Sequence, residues 1–517
     1  MKTGRVYLVG AGPGDPKLIT VKGLEAILKS DAIVYDRLAS PRLLAYARPG
    51  VEKIYVGKLP DRHTMKQEEI NQLLVDLALQ GKTVTRLKGG DPSVFGRVGE
   101  EAHLLVQHEV PYEIIPGITS AIAVPTYAGI PVTHREYNTS FTVVTGHEKP
   151  EKLDSTINWE KVSTASDTLI FLMGVAKIEY ISEQLQKNGR AASTPVALIR
   201  WGTRVEQETL VGTLADIAEK VRLANFKAPA VIIVGDVVKL REQLAWYEKL
   251  PLFGKRILVT RSREQASELV QKIDELGGEP YELPLLRLEP VSSEQEQIKM
   301  RQALGQLETY DWIVFTSVNA VEYFFDALKR EGIDIRKLHR AKMVSVGPKT
   351  TEELNARGII PEAVPDQYQQ EGVWAAIATR VEKEQKVLFP KSSLSRKWLS
   401  EQMISQGLVV DEINIYEPVP CVEQADELIH LLEQKELHIL SFASSSTVRH
   451  FAELLKAKGR DVKALTKGLD IACIGPITAQ TAQEVGLEVN MIADEATLDS
   501  FIEVMSGQGR HIDATTS

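Results

Sequence analysis

Within the 517 residues of the chain, two stretches repeat each other at the distance of a whole domain. Trp312-Ile313-Val314-Phe315-Thr316-Ser317 is echoed by Ile439-Leu440-Ser441-Phe442-Ala443-Ser444, and Phe315 and Phe442 stand 127 positions apart. Val346-Gly347-Pro348-Lys349-Thr350 is echoed by Ile474-Gly475-Pro476-Ile477-Thr478, with 128 positions between the glycines. Leu288-Glu289-Pro290 and Tyr416-Glu417-Pro418 also lie 128 apart. So long a period excludes a solenoid and implies two similar lobes made by duplication. Two like lobes leave a cleft between them, a favoured place for a ligand.

The rest of the chain alternates short β-branched runs with amphipathic segments. Arg5–Val9, Ala32–Tyr35, Thr83–Leu87, Thr168–Leu172, Pro195–Arg200 and Val231–Val234 read as strands, with helix-like Gly23–Ser30 and Gln67–Leu79 between the first of them. Such alternation predicts α/β sheets with parallel strands, whose ligands gather at the carboxyl ends. The expected organisation is a front region 1–240 (lobes 1–133 and 134–240), a linker 241–253, a rear region 254–506 and a small polar tail 507–517. Hydrophobic content of 43% with 25% charged residues fits globular domains. A net charge of −9 without a basic stripe argues against a nucleic-acid partner. No apolar run is long enough for a membrane helix, and the start shows no signal-peptide pattern, so a cytoplasmic protein is expected. The two cysteines, Cys421 and Cys473, form no C-x-x-C, and no disulfide framework or metal site is expected. His134 and His147 lack metal spacing and read as turn or surface residues.

The first motif, Gly10-Ala11-Gly12-Pro13-Gly14-Asp15, follows a strand. A dinucleotide loop is one reading, since Asp36 follows a second strand. The spacing is G-x-G-x-G, however, Pro13 removes an N–H from any phosphate cradle, and Asp15 sets a carboxylate where a pyrophosphate would sit. A purely structural turn is a second reading. A third is a loop for S-adenosylmethionine, whose cationic sulfonium tolerates nearby acids. The second motif, Lys88-Gly89-Gly90-Asp91-Pro92, lets backbone approach a flat ligand. The third, Pro116-Gly117-Ile118-Thr119-Ser120, reads as a turn and a capped helix start.

Together with Val34-Tyr35-Asp36-Arg37, Val56-Gly57-Lys58, Gly129–Arg135, Phe171-Leu172-Met173-Gly174 and Ala228-Pro229-Ala230, these motifs resemble the uroporphyrinogen-III C-methyltransferases, within the tetrapyrrole methylases, over roughly residues 3–240. The resemblance implies a two-lobed methylase fold, S-adenosylmethionine as methyl donor and a homodimer formed through this half. It implies a cofactor site of Pro13, Gly89, Gly90, Asp91, Val94, Thr119, Ser120, Met173, Gly202 and Ala230. Asp36 and Lys58 match positions with proton-transfer roles, base and acid; a structural ion pair or contact with substrate carboxylates is the other reading. Arg37, Arg86 and Arg97 are candidates for holding carboxylates in bidentate fashion, or are ordinary surface arginines.

The rear region shows no nucleophile elbow, phosphate loop or metal cluster. Its hydroxyl-rich strand ends, Thr260-Arg261-Ser262, Thr316-Ser317, Lys391-Ser392-Ser393 and Ser444-Ser445-Ser446, suit a large polyanion, and would equally suit a solute-binding or sensor module. Ile257–Arg261, Phe315–Asn319, Tyr368–Gly372, Phe442–Ser446 and Cys473–Ala479 resemble uroporphyrinogen-III synthase, a two-lobed α/β protein that closes hydroxymethylbilane without a cofactor. Tyr416 and Thr478 match positions suspected of assisting; Tyr416 could also simply pack between lobes. The combined resemblance implies a fused enzyme that makes uroporphyrinogen III and methylates it twice to precorrin-2, for siroheme or cobalamin. A methylase with a non-catalytic tetrapyrrole-binding rear half, or one of the same fold acting on RNA or protein, are the alternatives.

Overall fold

The structure is a computed structural model describing residues 3–57, 65–146, 156–260 and 263–507. Lys58, His147, Arg261 and Ser262 lie outside the described residues. The chain forms two compact units, one mainly of residues up to Ile257 and the other mainly of Leu258–Glu268 and Tyr281–Val504. Among the described residues, no helix is long and apolar enough to cross a membrane.

The first unit holds two five-stranded sheets. The first contains β1 (Arg5–Gly10), β2 (Ala32–Tyr35), β3 (Glu52–Tyr55), β4 (Thr83–Lys88) and β5 (Tyr112–Ile115) in the order β3-β2-β4-β1-β5. Every pairing in it is parallel. The chain runs outward from β1 to β3, returns as β4 beside β1, and then crosses to the far side of β1 as β5. The carboxyl ends of β4, β1 and β5 therefore adjoin at the point where the winding reverses, the place such sheets offer a ligand.

The second sheet contains β6 (Phe141–Thr145), β7 (Thr168–Leu172), β8 (Pro195–Arg200), β9 (Glu208–Thr213) and β10 (Ala230–Val234), in the order β6-β7-β10-β8-β9. Here the expectation of parallel strands fails. Only β6 and β7 run parallel; β10 is antiparallel to both β7 and β8, and β8 to β9. A buried strand such as Val231–Val234 is apolar on both faces whichever way it runs, so its composition carries no direction. The lobes join through helix Ser120–Tyr127, whose Ala121 and Val124 pack with Ile170, Ile199, Val231 and Ile233.

In the rear region, β11 (Arg256–Val259) and β12 (Glu279–Glu282) open a third sheet. A fourth follows, made of β13 (Leu286–Pro290), β14 (Trp312–Phe315), β15 (Lys342–Ser345), β16 (Lys386–Ser392) and β17 (Val409–Pro420), ordered β13-β17-β16-β14-β15. The chain then returns to the third sheet with β18 (Ile439–Phe442), β19 (Asp470–Cys473) and β20 (Met491–Ile492), giving β12-β11-β18-β19-β20.

The sequence repeat is a repeat of structure. β14 pairs with β15 as β18 pairs with β19, both parallel. Ser317 and Ser444 each cap the next helix, accepting from Ala320 N and Thr447 N. Val344 bridges Ala363 as Ala472 pairs with Met491, again 128 positions apart. The third repeated pair differs in kind. Leu288–Pro290 and Tyr416–Pro418 do not occupy separate sheets; they lie side by side on antiparallel β13 and β17, with Glu289 opposite Glu417. They are the outgoing and returning connections of one lobe.

Candidate active site

Three glycine-bearing loops converge where β1, β4 and β5 end. Gly12 and Gly90 exchange backbone hydrogen bonds, at 3.2 Å from Gly12 N and 2.7 Å from Gly90 N. Gly117 N donates to the Asp91 carboxylate at 2.9 Å, and Ser93 N donates to its other oxygen at 2.7 Å. A Cβ on Gly10 would fall 2.5 Å from Gly117 Cα, and one on Gly117 would fall 2.5 Å from the Gly90 carbonyl oxygen. The glycines are thus required by backbone meeting backbone, and Asp91 serves as a tie between two of the loops.

Gly90 differs from its neighbours. Its φ is +70°, yet a Cβ there would meet nothing nearer than Ser120 N at 3.6 Å. Open space therefore lies beside Gly90, against the start of helix Ser120–Tyr127 that Thr119 caps through Ala121 N. Nearby, Ser93, Val94, Phe95, Thr119, Ala121, Ile122, Phe141 and Val143 line an apolar pocket of about 300 Å³.

The second lobe contributes from one edge of its sheet. Val231 is in register with Leu172 and Ala230 with Arg200, so Met173, Gly202 and Ala230 all sit at that edge. Met173 is 53% exposed and left-handed, with φ +59°. Gly202 lies against Val124, where a Cβ would come within 2.3 Å of Cγ1. Pro13 is half-buried in the first loop. The cofactor candidates of the front half thus lie at or just beyond strand ends of the two sheets, with Gly202 meeting Val124 of the helix that Thr119 caps.

Asp36, just beyond β2, accepts from Arg86 at 2.8 Å and from Leu38 N at 3.0 Å, and its side chain is 25% exposed. It retains access to solvent while its orientation is fixed. Arg86 itself is buried. It also bonds the Leu87 carbonyl and Glu101, so it is no free clamp for a substrate carboxylate, in contrast to one expectation. Glu101 is fully buried between Arg86 and Lys88, whose ammonium lies 2.7 Å away. Burial pushes the Lys88 ammonium below the ordinary lysine range, and Glu101 opposes that shift. Arg86 and Lys88, two basic residues on one face of buried β4, were the available sequence signal for a buried acid such as Glu101.

Arg97 is engaged by Glu100 at 2.8 and 2.6 Å. Arg37 lies over the Trp201 ring at 5.1 Å and is exposed, the one of the three arginines left without a carboxylate contact among the described residues. His134 fits its expected turn role, accepting from Glu136 N at 3.3 Å.

In the rear region, Tyr416 on β17 is buried, stacked on Tyr323 at 5.2 Å, and its hydroxyl lies 3.2 Å from Ser317 Oγ. Burial raises its pKa, so the phenol stays protonated. Thr478 is buried in helix Pro476–Glu484, on the other lobe. The fold does not place these two candidates in contact. Cys421 and Cys473 are buried and unpaired, and burial pushes the Cys473 thiol up to about 12.

Known proteins fit this arrangement. The family model described as Tetrapyrrole (Corrin/Porphyrin) Methylases matches residues 5–218, and that described as Uroporphyrinogen-III synthase HemD matches residues 267–503. The "Porphyrin biosynthesis protein HemD" of Ruminiclostridium josui is 37% identical over 503 residues, covering 97% of this chain and 98% of the relative. A "Uroporphyrinogen-III C-methyltransferase" of Bacillus subtilis is 46% identical over 367 residues, covering 71% of this chain and 74% of that protein. The chain belongs to the fused uroporphyrinogen-III C-methyltransferase and uroporphyrinogen-III synthase family. This fused enzyme carries a methyltransferase in its front half and a synthase in its rear half. Its front half is also 52% identical, over 241 residues, to an "S-adenosyl-L-methionine-dependent uroporphyrinogen III methyltransferase" of Methanosarcina barkeri, covering 47% of this chain and 94% of that one.

Proposed function

We propose that the rear half closes hydroxymethylbilane to uroporphyrinogen III, and that the front half methylates this product twice, using S-adenosylmethionine, to give precorrin-2. The observation that carries the reading is the union of both family matches in one chain, where the product of one half is the substrate of the other. The boundaries we assign are 1–240 for the methyltransferase and 254–506 for the synthase.

The front site suits the methyl donor. Open space beside Gly90, an apolar wall at Val94 and the capped helix start at Thr119 and Ser120 suit a ligand that joins a flat ring to polar groups. With Pro13, Gly89, Asp91, Met173, Gly202 and Ala230 they form the proposed cofactor site. When bound, S-adenosylmethionine supplies an electrophilic methyl group. The residues themselves position the reactants, and proximity accounts for much of the rate in such transfers. Asp36, held by Arg86 yet open to solvent, is our base for the ring proton that must leave, with Lys58 as the acid. Arg37 is the candidate for the substrate's carboxylates.

In the rear half, loss of water from the linear substrate gives a stabilised cation, so folding the substrate into shape matters more than strong acid or base. Hydroxyls of both lobes, among them Ser317 just after β14, Tyr416 within β17 and Thr478 in helix Pro476–Glu484, support that role, with no cofactor needed. We further propose that the protein works as a homodimer through its methyltransferase half.

The test is a product assay with purified protein, hydroxymethylbilane and S-adenosylmethionine, read by mass and isomer analysis. A dimethylated type III macrocycle is expected. Type I macrocycle alone, the spontaneous product, would refute the synthase reading. Failure to methylate supplied uroporphyrinogen III would refute the front one.

A further inference from the structure

The segment 241–253 is folded against the methyltransferase lobes. Arg241–Leu244 and Tyr247–Lys249 are short helical turns. Trp246 Nε1 donates to the Thr126 carbonyl at 3.2 Å, and Arg241 donates to the Ala128 carbonyl at 2.6 Å. The rings of Trp246 and Tyr247 meet the edge of Tyr127 at 5.1 and 4.9 Å. Tyr127 ends the helix that begins at Thr119, and its hydroxyl donates to Asp15 Oδ2 at 2.8 Å. Burial and the Asp15 carboxylate both raise the Tyr127 pKa, which keeps the phenol a donor.

A second route leads to the same residue. Glu248 accepts from Gln207 at 2.8 Å and from Thr209 at 2.7 Å. Gln207 in turn accepts from Thr203 N at 2.9 Å, and Thr203 Oγ1 accepts from Asp15 N at 2.9 Å. Trp201 and Thr203 are left-handed, at φ +46° and +70°, and such backbone persists only where its surroundings fix it. Asp15 is thereby gripped by Tyr127 of the first lobe and by Thr203 of the second, and residues 246–248 support both grips.

We infer that this segment is a strap that sets the affinity of the front site for S-adenosylmethionine, acting through Tyr127 and Thr203 on the Gly10–Asp15 loop. Tyr127 is a positioning residue here; it stands behind the loop and holds it in shape. The inference rests on the reading of that loop as part of the cofactor site.

The test uses the full chain and calorimetric titration with S-adenosylmethionine. Tyr127→Phe removes one hydroxyl, and the Kd is expected to rise about three- to tenfold, the worth of one hydrogen bond. KM for S-adenosylmethionine rises with it, and kcat moves far less. Trp246→Ala is expected to weaken binding similarly, and Trp246→Phe to restore most of the loss by returning a ring edge to Tyr127. Tyr127→Phe combined with Asp15→Ala should cost less than the sum of the two, because both break one contact. Affinities of Tyr127→Phe and Trp246→Ala within about twofold of the parent's, with normal binding by the parent, would overturn the strap and leave the site reading intact. Absence of binding by the parent would overturn both.

Discussion

The two halves of the molecule build their sites in opposite ways. In the front half, three loops cross so closely that Gly10, Gly90 and Gly117 touch through backbone, and the candidate side chains gather around that crossing. In the rear half, duplicated lobes carry matching caps at Ser317 and Ser444, and the candidates Tyr416 and Thr478 belong to different lobes. Transfer of a methyl group demands one fixed alignment of donor and acceptor, and such alignment leaves sharp motifs. Shaping a large flexible substrate demands a surface, and a surface spreads its requirements over many weakly specified positions.

The largest effect that would sharpen this contrast is expected at Asp36. Asp36→Ala should lower methylation by about 10²- to 10⁴-fold while S-adenosylmethionine still binds and cyclisation continues. Unchanged methylation would remove Asp36 from the mechanism.

Next comes Arg86→Met, which leaves buried Glu101 with one cation fewer and frees Asp36. Breaking a buried pair in this way costs about 3–5 kcal/mol, measured on the urea-unfolding transition of the methyltransferase half. A loss below about 1 kcal/mol, the scale of an exposed pair, would show that the network is not structurally demanding.

Gly10→Val tests the crossing itself. Its branched side chain meets backbone at 2.5 Å, and overpacking of this kind costs about 1–3 kcal/mol. Thermal unfolding should register that cost, and methyl transfer should fall with cyclisation retained. A parallel fall in both activities would break the separation of the halves.

The smallest effects probe the duplication. Ser317→Ala and Ser444→Ala each remove a helix cap worth about 1 kcal/mol. Equal losses in chemical denaturation are expected from equivalent lobes. Ser317→Ala should in addition lower cyclisation, since Ser317 alone of the two bonds a tyrosine, Tyr416. Equal cyclisation rates in the two variants would count against Tyr416.

What could be read in the sequence follows the same division. Gly10–Asp15, Lys88–Pro92 and Pro116–Ser120 were legible because close backbone approach admits few residues. The repeat was legible because the strand, cap and turn recur together. The direction of β10 was not, since two-faced burial looks the same in either orientation. Arg86 and Arg97 stayed open between clamps for substrate carboxylates and ordinary surface arginines, because sequence does not reveal that Glu101 and Glu100 already hold them. The roles of Tyr127 and Gln207 depend on contacts across long stretches of chain, Tyr127 with Asp15 from 112 positions away, and no local pattern marks such pairs.

The nested arrangement of the rear lobes has a consequence for how the chain is made. β11 belongs beside β18, and the bond from Thr260 to the Ser441 carbonyl joins residues 181 positions apart. At about 5–20 residues per second of synthesis, the ribosome needs some 10–40 seconds to supply that partner. The inner lobe, entered by β13 and left by β17 at Pro420, has all its strands before β18 begins at Ile439, about 1–4 seconds sooner. The outer lobe must finish last, and until it does the apolar edge Ile257-Leu258-Val259 emerges without the neighbour that will cover it.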